Sequence, residues 1–226
     1  MKDVYLTLSI NSGVFPYVGM QDFARFCKKV NIVDSVVTVS RLDFIVTGVK
    51  AKPKGLDAPK LPAQMPTDLN RAEFLEALVR VALCKYKEYA PNPAVVSKVD
   101  AVSRLILENI RPNFVPGPWQ VFREEQLWTR EVNLVFHDNE EPLRRLYQMY
   151  AKQQGGKVPL QNALKLLEAD CSIRMHKYDA VYCYAMSLST CVDLFKAMQN
   201  KILHMTYEEF LEMIGRASDL HFQGSD

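Results

Sequence analysis

No uninterrupted apolar run in this chain reaches the roughly 18 residues that a membrane-spanning helix needs. No charged segment followed by an apolar one stands at the start, so a secretory leader is not expected. Cysteine is sparse: Cys27, Cys84, Cys171, Cys183 and Cys191 are odd in number and show no C-x-x-C spacing. That pattern excludes a disulfide framework and points to free thiols in a reducing compartment. Charge of one sign is nearly absent as an excess. The net charge of +2 is too small for a broad electrostatic grip on nucleic acid. Nucleotide and hydrolase signatures are missing as well. There is no G-x-x-x-x-G-K-S/T, H-E-x-x-H, G-x-S-x-G or G-x-G-x-x-G. The expectation is a cytoplasmic protein without enzymatic activity or cofactor.

What remains is the composition of a folded protein. The chain has 226 residues, 48% hydrophobic and 24% charged, enough for one large domain or two small ones. Its apolar residues recur at helical spacing. MQDFARFCKKV sets Phe23, Phe26, Cys27 and Val30 on one face, and VVSKVDAVSRLILENI does the same with Val95, Val99, Val102, Ile106 and Ile110. SRLDFIVTGV opens with Ser40 and Asp43 at capping-box spacing. By contrast, the start, DVYLTLSI, alternates and reads as a short extended N-terminal arm. RPNFVPGPWQVF carries Pro112, Pro116, Gly117 and Pro118, a linker signal that divides the chain into 1–113 and 114–226. Trp119 and Phe122 are expected to anchor that linker in a core.

One phrase is written twice. RAEFLEALVR at 71–80 returns as YEEFLEMIGR at 207–216, with identities at Glu73/Glu209, Phe74/Phe210, Leu75/Leu211, Glu76/Glu212 and Arg80/Arg216. Each copy begins apolar-x-x-x-Glu-Phe. That is the end of an EF-hand loop, where position 8 is apolar and position 12 is a Glu that chelates with both oxygens. Four stretches fit the spacing, with Val39, Leu69, Val158 and Met205 at position 8. Position 12 then falls on Asp43, Glu73, Asn162 and Glu209. The third stretch keeps Gly156 at the turn position. Its positions 1, 3 and 5 are Ala151, Gln153 and Gly155; those of the fourth are Met198, Asn200 and Ile202. The first has Ile32, Asp34 and Val36 there, and the second starts at Pro62 with Asp68 at position 7. No stretch offers the several carboxylates that Ca²⁺ needs, so no metal is expected. Glu73 and Glu209 then read as helix caps. A generic helical protein in which the phrase recurs is the other reading.

DFARFCKKVNIVD, NRAEFLEALVRVALCKY and TYEEFLEMIGRASDLHF resemble a family of divergent EF-hand-like proteins of cilia and flagella, across about half the chain. The resemblance implies an all-α fold of two tandem EF-hand-like helix–loop–helix lobes with degenerate loops. It also implies a structural or adaptor role in the axoneme or its associated cytoskeleton, with other proteins as partners. The calcium ligands of the family's metal-binding members have no counterpart at Ala151, Gln153, Met198, Ile202 or Ile32.

An EF-hand-like lobe that stays open accepts an amphipathic partner helix. The candidate groove is Met186, Phe195, Met198, Met205, Phe210 and Met213, although methionine at helical spacing serves cores equally well. Lys50, Lys52, Lys54 and Lys60 form a basic segment suited to an acidic partner such as tubulin. Arg80 and Arg216 read as surface partners of neighbouring acids. His176, Asp179 and Cys183 share a helical face and are the one mixed cluster to weigh for catalysis. The alternative function is a calcium-responsive sensor of the cytoskeleton with non-standard loops.

Overall fold

The computed structural model describes residues 1–51, 67–88, 94–115, 117, 119–151, 156–189 and 204–223. They are mostly helical, and their only strands form a two-stranded antiparallel sheet. No helix among them is long and apolar enough to cross a membrane. The chain divides into two compact units, Met1–Pro116 and Gly117–Asp226.

The first unit contains α1 (Lys2–Asn11), α2 (Met20–Lys29), α3 (Val39–Lys50), α4 (Arg71–Leu83) and α5 (Lys98–Arg104). A π-helical stretch, Cys84–Glu88, prolongs α4. Another, Leu105–Ile110, prolongs α5 into a last turn at Arg111–Asn113. The segment expected to be extended is therefore the helix α1. Its apolar–polar alternation suits a strand, but Val4, Tyr5 and Ser9 also share a helical face, and all three are buried. The Tyr5 ring lies 5.5 Å from that of Phe74, so tertiary packing overrides the local preference.

Each helix of this unit has a local reason. In α2, Phe23, Phe26 and Cys27 turn inward and Lys28 and Lys29 complete the last turn, where the helix dipole favours cations. In α4, Asn70 caps the helix and Phe74, Ala77, Leu78 and Val81 form the buried stripe. On α5 the buried line runs through Ala101, Leu105 and Ile110, while Val99 faces solvent. The loop after α1 and the segment before α4 meet in one antiparallel bridge. Val18 N–H donates to Leu69 O at 2.9 Å and Leu69 N–H to Val18 O at 2.8 Å. Two helix–loop–helix arms, α1–α2 and α3–α4, are thus tied together.

The frame centred on Val39 is overturned by this bridge. Val18, not Val39, pairs with Leu69, and Asp22 is the third residue of its exiting helix as Glu73 is of α4. Thr38 caps α3 by accepting from Arg41 N–H at 3.3 Å. Neither Ser40 nor Asp43 is the cap. Asp43 lies one turn further in and is exposed.

The second unit contains α6 (Trp119–Val121, prolonged by a π-helical stretch Phe122–Leu127), α7 (Arg130–Asp138), α8 (Glu140–Ala151) and β1 (Val158–Pro159). It continues with α9 (Leu160–Lys165, prolonged by π-helical Leu166–Asp170), α10 (Lys177–Ser187), β2 (His204–Met205) and α11 (Tyr207–Phe222). β1 and β2 are antiparallel, with Val158 opposite Met205 and Pro159 opposite His204. Helix α10 is buried from Val181 to Ser187, except at half-exposed Tyr182, and packs against α11. Phe122 is half-buried with the Arg216 guanidinium 4.9 Å from its ring centre. The side chain of Trp119 and the whole of Cys191 lie outside the described residues.

Gly215 is where α11 passes closest to the π-helical stretch after α6. A Cβ there would sit 2.2 Å from Leu127 Cδ1, and Leu127 is itself buried. Alanine ordinarily stabilises an exposed helix by about 1 kcal/mol over glycine. Here the overpacking dominates. Gly215→Ala is expected to destabilise by about 1–3 kcal/mol in urea denaturation. A gain in stability would contradict the close approach.

Candidate functional site

Within the α3–α4 arm, the end of one helix and the start of the next converge on Lys50, the last residue of α3. Its ammonium donates to Asp68 O at 2.7 Å and to both carboxylate oxygens of Glu73 at 3.0 and 3.1 Å. The same carboxylate accepts Asn70 N–H at 2.8 Å, while Asn70 Oδ1 accepts Glu73 N–H at 3.0 Å, closing a capping box. Lys50 is therefore not part of a free basic surface. It is drawn inward because the helix dipole and an anionic cap concentrate opposite charges there. Lys52, Lys54 and Lys60 lie outside the described residues.

The second unit repeats the device with other chemistry. Glu209 is buried and forms a capping box with Thr206, accepting its N–H at 2.8 Å. It also accepts the N–H of Ser189, just beyond α10, at 2.7 Å, and the Ser189 hydroxyl. Asn162, third residue of α9, donates through Nδ2 to Tyr150 O, at the end of α8, at 2.7 Å. Gly156 has φ +78°, which suits glycine, and the Tyr147 hydroxyl lies 2.7 Å from its carbonyl and 3.2 Å from that of Met205. In the arms that end at Glu73 and Asn162, then, the third residue of the exiting helix is bonded directly to the end of the entering helix, while Glu209 bonds Ser189, two residues beyond α10. Asp22 instead pairs with Arg25 on its own helix.

The repeated phrase also diverges. Glu76 and Arg80 pair on the surface, whereas Glu212 and Arg216 are buried. Arg216 is thus no surface partner. Its guanidinium donates to Glu212 Oε1 at 2.8 and 3.0 Å, and Arg123 donates to the same carboxylate at 2.8–3.1 Å. Nothing in the sequence phrase distinguishes the two pairs. The signal lies in Arg123, far away in the chain.

The expected groove of the second unit is not a surface. Met186, Met205, Phe210 and Met213 are all at most 4% exposed, because α10 and α11 close over them. Phe195 and Met198 lie outside the described residues. An open cleft occurs instead in the first unit, between α3 and α4. It encloses about 600 Å³ and is lined by Arg41, Phe44, Ile45, Arg80, Leu83, Cys84 and Glu88. Phe44 stands at its lip with 78% of its surface exposed. Gly48 lets Arg80 cross α3, since a Cβ there would lie 2.9 Å from Nη1.

Cys27, Cys84 and Cys183 are buried and offer no ready nucleophile. Burial, then nearby Asp179 and Asp219 against the opposing pull of Arg216, pushes the Cys183 thiol up to about 12. Burial raises Cys27 and Cys84 as well. Thiols of this kind stay protonated at neutral pH. His176 is exposed at the start of α10 and shares no hydrogen bond with Cys183 among the bonds described. Among the described residues, no three of His, Cys, Asp and Glu gather as metal ligands. No family model, curated protein or solved structure matches the chain.

Proposed function

We propose that the chain is a calcium-independent adaptor of the cilium or flagellum, built from two EF-hand-like lobes, that holds an amphipathic partner helix in the cleft between α3 and α4. The pairing of helix–loop–helix arms through an antiparallel bridge supports the EF-hand-like reading. The bridging residues Leu69, Val158 and Met205 stand four residues before Glu73, Asn162 and Glu209. One observation carries the calcium independence: protein groups, Lys50 and Ser189, already bond the carboxylates of Glu73 and Glu209. The axonemal setting rests on the resemblance of the three quoted segments. Phe44 is the anchor that a partner helix would cover.

The test places a photoreactive phenylalanine analogue at position 44 in ciliated cells, with exposed Gln21 as the control position. The expected result is one axonemal cross-linked partner at position 44 and none at 21, equally with calcium or with a chelator. Cross-linking that appears only with calcium would support the sensor instead. Equal labelling at both positions would refute the cleft.

A further inference from the structure

Lysine ammonium groups are compact cations with three donors, and they are ordinarily solvated. Lys50 uses all three donors on protein oxygens: the Asp68 carbonyl and both oxygens of Glu73. Its side chain is only 18% exposed, and that of Glu73 only 22%. A bidentate carboxylate at the third position of a helix, with a main-chain carbonyl five residues earlier, supplies three of the six to eight oxygens that a hard divalent cation gathers. Here that set closes around nitrogen at 2.7–3.1 Å, the distance of charge-assisted hydrogen bonds.

We propose that the Lys50 ammonium is a built-in cation that occupies the seat of a divalent ion, ties the end of α3 to the start of α4, and keeps metal out. The cleft between those helices then keeps its shape without any ion arriving or leaving. This deepens the adaptor reading and rests on it for its purpose, but the seat itself is a property of the first unit alone.

The test is thermal unfolding of the full chain with calcium chloride or with chelator. Three proteins are compared: the wild type, Lys50→Ala, and Lys50→Ala combined with Glu73→Gln. Without Lys50 the Glu73 carboxylate keeps the Asn70 N–H but loses its cation. Lys50→Ala is expected to melt lower in chelator and to regain on the order of 5 °C with millimolar calcium. Neither the wild type nor the double variant should respond. A calcium response in the wild type, or none in Lys50→Ala, overturns the proposal. If Lys50→Ala does not fold, nitrogen-15 spectra of the wild-type lysine side chains decide. A slowly exchanging ammonium that is lost in Glu73→Gln is expected, distinct from that of Lys85, which is held by Asp34 and Ile32 O; the absence of any signal lost in Glu73→Gln overturns it. Neither readout involves a partner, so failed cross-linking at position 44 would leave this result untouched.

Discussion

Glu212→Ala is expected to cost the second unit about 3–5 kcal/mol, the loss typical of breaking a buried ion pair from one side. The carboxylate is 6% exposed and is flanked by Arg216 at 3% and Arg123 at 22%. Arg216 bonds it from the next turn of α11, and Arg123 reaches it from the π-helical stretch after α6 while also donating to Met186 O at 3.2 Å. Removing the acid leaves two guanidiniums facing each other without the carboxylate they share. The Phe122 ring beside Arg216 supplies only a weak substitute. Both tryptophans, Trp119 and Trp128, belong to the second unit, so their fluorescence during urea denaturation follows the unit that carries the change. Glu76→Ala provides the internal control. It breaks the corresponding pair of the first unit, where Arg80 and Glu76 are 44% and 49% exposed, and should cost no more than about 0.5 kcal/mol. Equal losses at the two positions would mean that burial does not set the strength of these pairs.

Phe74→Ala is expected to cost the first unit a comparable amount, about 3–5 kcal/mol, for a different reason. Its ring is fully buried and touches the rings of Tyr5, Phe23 and Phe26 at centroid distances of 5.5, 5.8 and 6.2 Å. Those partners come from α1 and α2, so one truncation opens a cavity where three helices meet. The neighbouring aromatic rings are stiff and cannot collapse into it as leucines would. Far-UV circular dichroism reads this loss, because the first unit has no tryptophan. Phe74→Leu should recover much of it by refilling the volume. A loss below about 1 kcal/mol for Phe74→Ala would mean that the aromatic cluster is not the centre of this core.

The helical character was legible from periodicity, and at both copies of the Glu-Phe phrase the glutamate closes a capping box, with Asn70 and Thr206 as the caps that the sequence reading did not name. There, local hydrogen bonding and burial agree. The phrase apolar-x-x-x-acid-Phe was less decisive elsewhere. It occurs at Val18–Asp22–Phe23 and again at Val39–Asp43–Phe44. Only the first belongs to the bridged arms; Phe23 is fully buried and Phe44 is 78% exposed. Local sequence cannot separate them, because the choice depends on which loop can reach Leu69. The N-terminal segment was misread for the same reason, since a strand-like alternation became α1 once Tyr5 found Phe74. Lys50 was unreadable as a clamp because its partners Asp68 and Glu73 follow an intervening proline-rich segment. The sequence shows a basic residue; only the fold brings it to its oxygens.

The Val18–Leu69 bridge makes the first unit observable one proton at a time. Both residues are fully buried, and each amide is held by the other's carbonyl rather than by a helix. Fraying at a helix end therefore cannot release them to deuterium; the two arms must part first. The exchange rates of these two amides, followed by NMR in heavy water, would time the separation of the arms directly. They would distinguish a unit that breathes from one that opens only by unfolding.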